Sequence, residues 1–129
     1  MVMDKDIEYW LEIAEYDLDT ARALLGSGRY AYVLFMCQQA VEKILKGLVV
    51  KNTHKLPPRL HNLLRLSELT GLDLEQGKKE LLEKLSYYYL ESRYPEEQKK
   101  ITAEVDRKVA GDYLLETEEI FTWLKSRLK

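Results

Sequence analysis

Cys37-Gln38-Gln39-Ala40-Val41-Glu42-Lys43-Ile44-Leu45-Lys46 is the stretch that decides the fold of this chain. Its apolar residues, Cys37, Ala40/Val41 and Ile44/Leu45, recur every three and four positions, the period of an α-helix and not the alternation of a strand. Val33/Leu34 and Leu48 extend the stripe, so the spacing predicts a helix from about Tyr30 to Lys51, wide enough in its apolar face to be central and well covered. Glutamine, glutamate and lysine are threaded through it. Polar groups on a covered helix need partners.

The same period runs through the rest of the chain. Ile7, Trp10/Leu11, Ala14, Leu18, Ala21 and Leu25 predict a first helix from about Asp4 to Gly26, ended by Gly26-Ser27-Gly28. Asn52 and Pro57-Pro58 break the second helix from a short third, Leu60 to Leu69, which stops at Thr70-Gly71. A fourth, about Leu74 to Arg93, turns Leu81/Leu82, Leu85 and Tyr88/Tyr89 inward and is ended by Pro95. The last, from near Glu104 to Leu128, carries Ala110, Tyr113/Leu114, Thr117, Ile120/Phe121 and Leu124. The expected fold is therefore all-α, five helices with short connections. Trp10, Leu18, Leu34, Val41, Leu48, Leu85, Leu114 and Phe121 are its expected core.

At 129 residues the chain suits one domain able to bury roughly two thirds of its extended surface. A single cysteine, Cys37, excludes an internal disulfide, reads as a small buried hydrophobe, and with no Cys/His metal spacing points to a reducing compartment, the cytoplasm. No apolar run approaches a membrane span, and the N-terminal residues lack an apolar signal core, so no membrane and no export are expected. No metal or cofactor is implied.

Twenty basic and 22 acidic residues nearly balance, yet they are segregated. Acids crowd the first helix, whereas Lys43, Lys46, Lys51, Lys55, Arg59 and Arg65 run without a carboxylate between Glu42 and Glu68. Such a run is either a phosphate footprint or a solvated face complementing the acidic helix. Glu42 and Lys46 stand at i and i+4, an ordinary helix ion pair, and Arg93 is a further expected partner for the covered Gln39 and Glu42. Arg93 ends a helix, where a cation suits the exposed carbonyls, or else binds phosphate. His61 reads as a helix-start or inter-helix hydrogen-bonding residue. Tyr87-Tyr88-Tyr89 and Tyr94 can pack in a core or interface, or stack on bases.

Trp10 with Ala14, Asp17-Leu18, Ala21 and Leu24-Leu25; Gln39-Ala40-Val41-Glu42-Lys43-x-x-Lys46; His61-x-Leu63-x-x-Leu66; Arg93-Tyr94-Pro95; and Ala110 follow one another in an order that resembles the HEPN domains of prokaryotes. The resemblance covers nearly the whole chain. It implies a five-helix up-and-down bundle, residues 1–129 as one HEPN domain of the nucleotidyltransferase-associated type. Such domains commonly dimerise, are often encoded beside a small nucleotidyltransferase, and in many members form the ribonuclease toxin of a toxin-antitoxin pair.

Catalytic members of the family carry a histidine separated from the arginine by four to six intervening residues. Imidazole there moves protons to and from the ribose 2′-hydroxyl and the leaving oxygen, and arginine stabilises the phosphorane charge. Here Arg93 is followed at those positions by Gln98, Lys99 and Lys100. Glutamine does not titrate, and an ordinary lysine is charged at pH 7. The expected function is thus a nucleotide- or single-stranded-RNA-binding homodimer, the partner of a minimal nucleotidyltransferase in a toxin-antitoxin-like pair, without cleavage activity. Arg93, Tyr94, Lys99, Lys100 and Lys43 are its expected binding residues, converging on one cleft, with Gln39 and Glu42 as a supporting polar network. Two alternatives stand beside it: a metal-independent endoribonuclease, for which Arg93 and His61 are the candidates for catalysis, and a purely structural interaction module.

Overall fold

A computed structural model describes residues 2–129, with side chains from residue 4 onward; Met1, which the expected domain includes, lies outside them. Six helices follow one another: α1 Val2–Gly26, α2 Tyr30–Thr53, α3 Leu63–Thr70, α4 Gln76–Glu91, α5 Pro95–Glu104 and α6 Arg107–Arg127. Among the described residues there is no strand.

The expected all-α bundle is present, but it has six helices, not five. The proline that closes α4 also opens α5: Pro95 stands in the first turn, where its missing N–H costs nothing, and Glu96 and Glu97 follow, where carboxylates suit the helix N-terminus. Ile101 turns inward from α5 and is 5% exposed. Val105 then leaves helical geometry. Asp106 caps the next helix by accepting from the Val109 amide at 2.9 Å, so α6 begins at Arg107 and Glu104 belongs to α5. The α1–α2 and α3–α4 breaks fall at Gly28 (φ 79°) and Gly71 (φ 77°), where glycine permits the left-handed conformation, and α2 ends at His54 in the same region (φ 58°). α3 starts at Leu63 because Asn62 caps it, its side chain accepting from Arg65 N at 3.1 Å.

Helix α2 touches each of the other five and is the axis of the core. Val33, Leu34, Cys37, Ala40, Val41, Ile44, Leu45 and Leu48 are all sealed. Leu18, Leu85, Leu114 and Phe121 join them as expected. Trp10 does not: it is only half-buried. α1 crosses α2 at Gly47, where a Cβ would stand 3.1 Å from the Trp10 Cβ. The missing side chain lets the two backbones close up, leaving the indole at the edge of their interface with the Lys46 ammonium 5.9 Å from its ring centre. Among the described residues no helix is long and apolar enough to cross a membrane.

Candidate functional site

The polar residues of α2 lie in two adjacent rows set by the helical repeat: Gln38, Glu42 and Lys46 four apart, with Gln39 and Lys43 beside them. Their bonds form one continuous network. Glu42, 2% exposed, accepts at Oε1 from Gln38 Nε2 (3.0 Å) and His61 Nδ1 (2.9 Å), and at Oε2 from Lys46 Nζ (3.0 Å). Gln38 also donates to the His61 carbonyl at 3.0 Å, which ties the α2–α3 connection to the middle of α2. Gln39 donates to Gln38 Oε1 (2.8 Å), and Lys43 donates to Gln39 Oε1 (3.2 Å) and to Asp17 Oδ2 of α1 (3.3 Å).

Burial alone would drive the Glu42 carboxyl upward, but hydrogen bonds from Gln38, His61 and Lys46, with the charge of Lys46, outweigh it and hold the group below its ordinary value. Glu42 is therefore an anion at neutral pH and can only accept. It follows that His61 carries a proton on Nδ1. The His61 side chain is 44% exposed.

Arg93 is not the partner of Gln39 or Glu42. α4 ends at Glu91, and the Arg93 side chain folds back onto the last turn: its Nη2 donates to the Tyr89 hydroxyl at 2.8 Å and its guanidinium carbon lies 4.9 Å from the Tyr89 ring centre. Nor does its guanidinium cap a helix carbonyl. Tyr89 is 6% exposed, stacks on Phe35 at 5.1 Å and packs against the His61 ring at 5.4 Å, so one tyrosine links the Glu42–His61 pair to Arg93.

Beside Arg93, α2, α4 and α5 leave a cavity of about 140 Å³. Phe35, Tyr88 and Ile101 form its apolar wall; Tyr32, Ser92, Arg93 and Gln98 supply its polar groups. Gln98 donates to the Tyr32 hydroxyl at 3.3 Å. The glutamine at the first of the family's histidine positions thus shares a cavity with the arginine. Among the described residues no carboxylate pairs with Arg93.

Of the expected binding residues, only Arg93 lines this cavity. Tyr94 is 63% exposed just outside α4, Lys99 is exposed on α5, and Lys100 pairs with Glu97 at 3.5 Å. Lys43 is held by Asp17 and Gln39, as a face complementing the acidic first helix should be. Gln38, Asp17, Tyr32 and Phe35 are not among the site residues expected from sequence, and Tyr89 is expected there only as one of the tyrosines that pack or stack on bases. Only Gln38 carried a signal, four residues before Glu42. Cys37 is buried, and burial pushes its thiol up to about 12, which removes it as a nucleophile.

These features define a class before they define a relative: a small helical bundle whose covered central helix carries a Gln-Glu-Lys row and whose fourth helix ends in an Arg-Tyr-Pro turn. This chain belongs to the HEPN family, whose HEPN domain model matches residues 7–127. Among solved structures it is similar to TT1696 from Thermus thermophilus, at 29% identity, with 93% of this chain and 96% of that one covered and a TM-score of 0.77. It is likewise similar to ST0689, an archaeal HEPN homologue, at 25% identity, covering 95% and 98%, with a TM-score of 0.74. A comparison with curated proteins gives no match.

Proposed function

We propose that this chain is a nucleotide- or single-stranded-RNA-binding HEPN module, a cytoplasmic homodimer that partners a minimal nucleotidyltransferase in a toxin-antitoxin-like pair and lacks rapid RNA cleavage. The observation that carries it is Arg93. Its guanidinium spends one N–H on Tyr89 and keeps the others, with no carboxylate competing, at the mouth of an aromatic-walled cavity. Tyr94 is free to stack on a base, and Lys99 and Lys100 extend the phosphate contacts along α5. Lys43 drops out, because Asp17 holds it. Family membership supports the nucleotidyltransferase pairing. Exposed Tyr87 and Leu90 toward the end of α4 support a dimer face. Gln98, which cannot titrate, supports the loss of cleavage.

Fluorescence anisotropy with end-labelled single-stranded RNA tests this reading. Arg93→Ala is expected to weaken binding by roughly tenfold or more. It should also flatten the log–log salt slope by roughly 0.7 for each phosphate contact removed. Unchanged affinity and slope would leave the purely structural module as the better description.

One observation favours a second reading, an endoribonuclease. Glu42 fixes the His61 tautomer that a general base requires, on a ring packed against the tyrosine that holds Arg93. Incubation with RNA in the presence of a chelator should show no cleavage, or very slow cleavage, by the wild type. Robust cleavage that His61→Ala abolishes would instead make His61 the proton carrier, and its loss in Arg93→Ala would place the arginine at the same site.

A further inference from the structure

We infer that the cavity between α2, α4 and α5 takes a single nucleobase, and that Gln98 reads it as adenine in preference to guanine. The inference rests on the nucleotide-binding reading above and assigns the ligand class of that same site.

Size sets the first limit. Pockets that engulf small ligands run from about 300 Å³ upward. At about 140 Å³ this one has room for a planar ring and not for a whole nucleotide. The ribose and phosphate of a bound nucleotide must stay outside, within reach of Arg93, which lines the cavity and is itself exposed. The lining sets the second. Phe35, Tyr88 and Ile101 give an apolar and aromatic wall that a free phosphate does not need, and no carboxylate is present to attract an amine. A ring carrying neutral hydrogen-bonding groups and tethered to an anion satisfies both.

The base is selected by what Gln98 has left to offer. One of its amide groups is committed to the Tyr32 hydroxyl. Whichever way the terminal amide is turned, a hydroxyl can accept from its nitrogen or donate to its oxygen, and the amide keeps one donor and one acceptor. Adenine presents the complement of that pair along one edge, N7 accepting and N6 donating, which is the bidentate contact glutamine makes to adenine. Guanine presents two acceptors there, N7 and O6, and would set an acceptor against the glutamine oxygen, so the preference belongs to a base seated with its N7 edge toward Gln98. Arg93 is the side chain that could reverse the preference, since arginine matches that guanine edge. Tyr89 restrains it by a hydrogen bond and by ring contact, and its remaining N–H groups serve the phosphate. In this arrangement the position that holds a proton carrier in catalytic relatives has become a base-reading position.

The test is calorimetric titration of the full chain with AMP and with GMP, repeated for Gln98→Leu and Gln98→Glu, with circular dichroism to show that each variant keeps its helices. Gln98 is half-buried on a short surface helix, so both variants should fold. Wild type is expected to bind AMP about tenfold more tightly than GMP, the discrimination of one good bidentate contact. In Gln98→Leu the two affinities should converge, while the salt dependence, set by Arg93 and the phosphate, stays as in wild type. Gln98→Glu loses the donor to N7 and adds an anion, and should weaken AMP further. Equal wild-type affinities for AMP and GMP would overturn the inference and leave the binding reading standing. A preference for GMP would overturn it by giving the base to Arg93. If neither nucleotide binds and labelled RNA does, base reading fails but phosphate binding survives; if RNA fails too, both readings fall.

Discussion

Replacing Glu42 by alanine is expected to remove about 3 to 5 kcal/mol of stability, because it leaves a buried cation without its counter-ion. Lys46 is 7% exposed and its ammonium donates to Glu42 at 3.0 Å. Gln38, fully buried, loses an acceptor in the same step, and His61 loses the group that fixes its ring. Urea unfolding measures the loss; a value below about 1 kcal/mol would mean that water reaches Lys46 and the network is not buried in solution. The charge also imposes a pH dependence of known sign. The folded-state value of Glu42 lies below its ordinary 4.5, so the stability it contributes is complete above about that pH and disappears as pH falls through the folded value. The stability difference between wild type and Glu42→Gln should therefore be constant near neutrality and shrink below pH 4.5. A difference that grew on acidification would show that the carboxyl is raised, not depressed.

The second large effect is in the apolar core. Leu114→Ala should cost about 2 to 5 kcal/mol, since the residue is 5% exposed and the helices around it can collapse only in part. Leu34, sealed at 0%, belongs toward the upper end of that range. Leu115, next in sequence and 62% exposed, is the matched control, and its truncation should change stability by under about 0.5 kcal/mol. Equal losses at Leu114 and Leu115 would contradict the way α6 faces the core.

Much of this architecture was legible because helices announce themselves locally. The three-and-four repeat identified α1, α2, α3, α4 and α6, and the buried face of α2 is the one its apolar stripe indicated. α5 was hidden by a local ambiguity: Pro95 ends one helix and begins another, and only Ile101 in α5 and Val105 after it turn inward, too few to set a period. Trp10 was misjudged for a different reason. Hydrophobicity says that an indole prefers to leave water, but not that Gly47 lets α1 and α2 close until the ring is left at the rim.

The candidate site divides along the same line. By itself the sequence determined five of the six helices, that α2 is the covered one, that Glu42 and Lys46 pair within it, and that no histidine follows Arg93 at the family's spacing. All of these are properties of neighbours along a helix, where the repeat sets what meets what. The tertiary structure alone decided that Arg93 turns to Tyr89 and not to Glu42, that His61 is the third donor on Glu42, that Asp17 holds Lys43, and that Gln98 faces Arg93 across a cavity. His61 and Glu42, like Asp17 and Lys43, are far apart in the chain, while Arg93 stands in the turn between α4 and α5, where no helical repeat fixes its direction. Their pairing depends on how helices cross and which rotamers the crossing leaves open, and no short-range pattern records that.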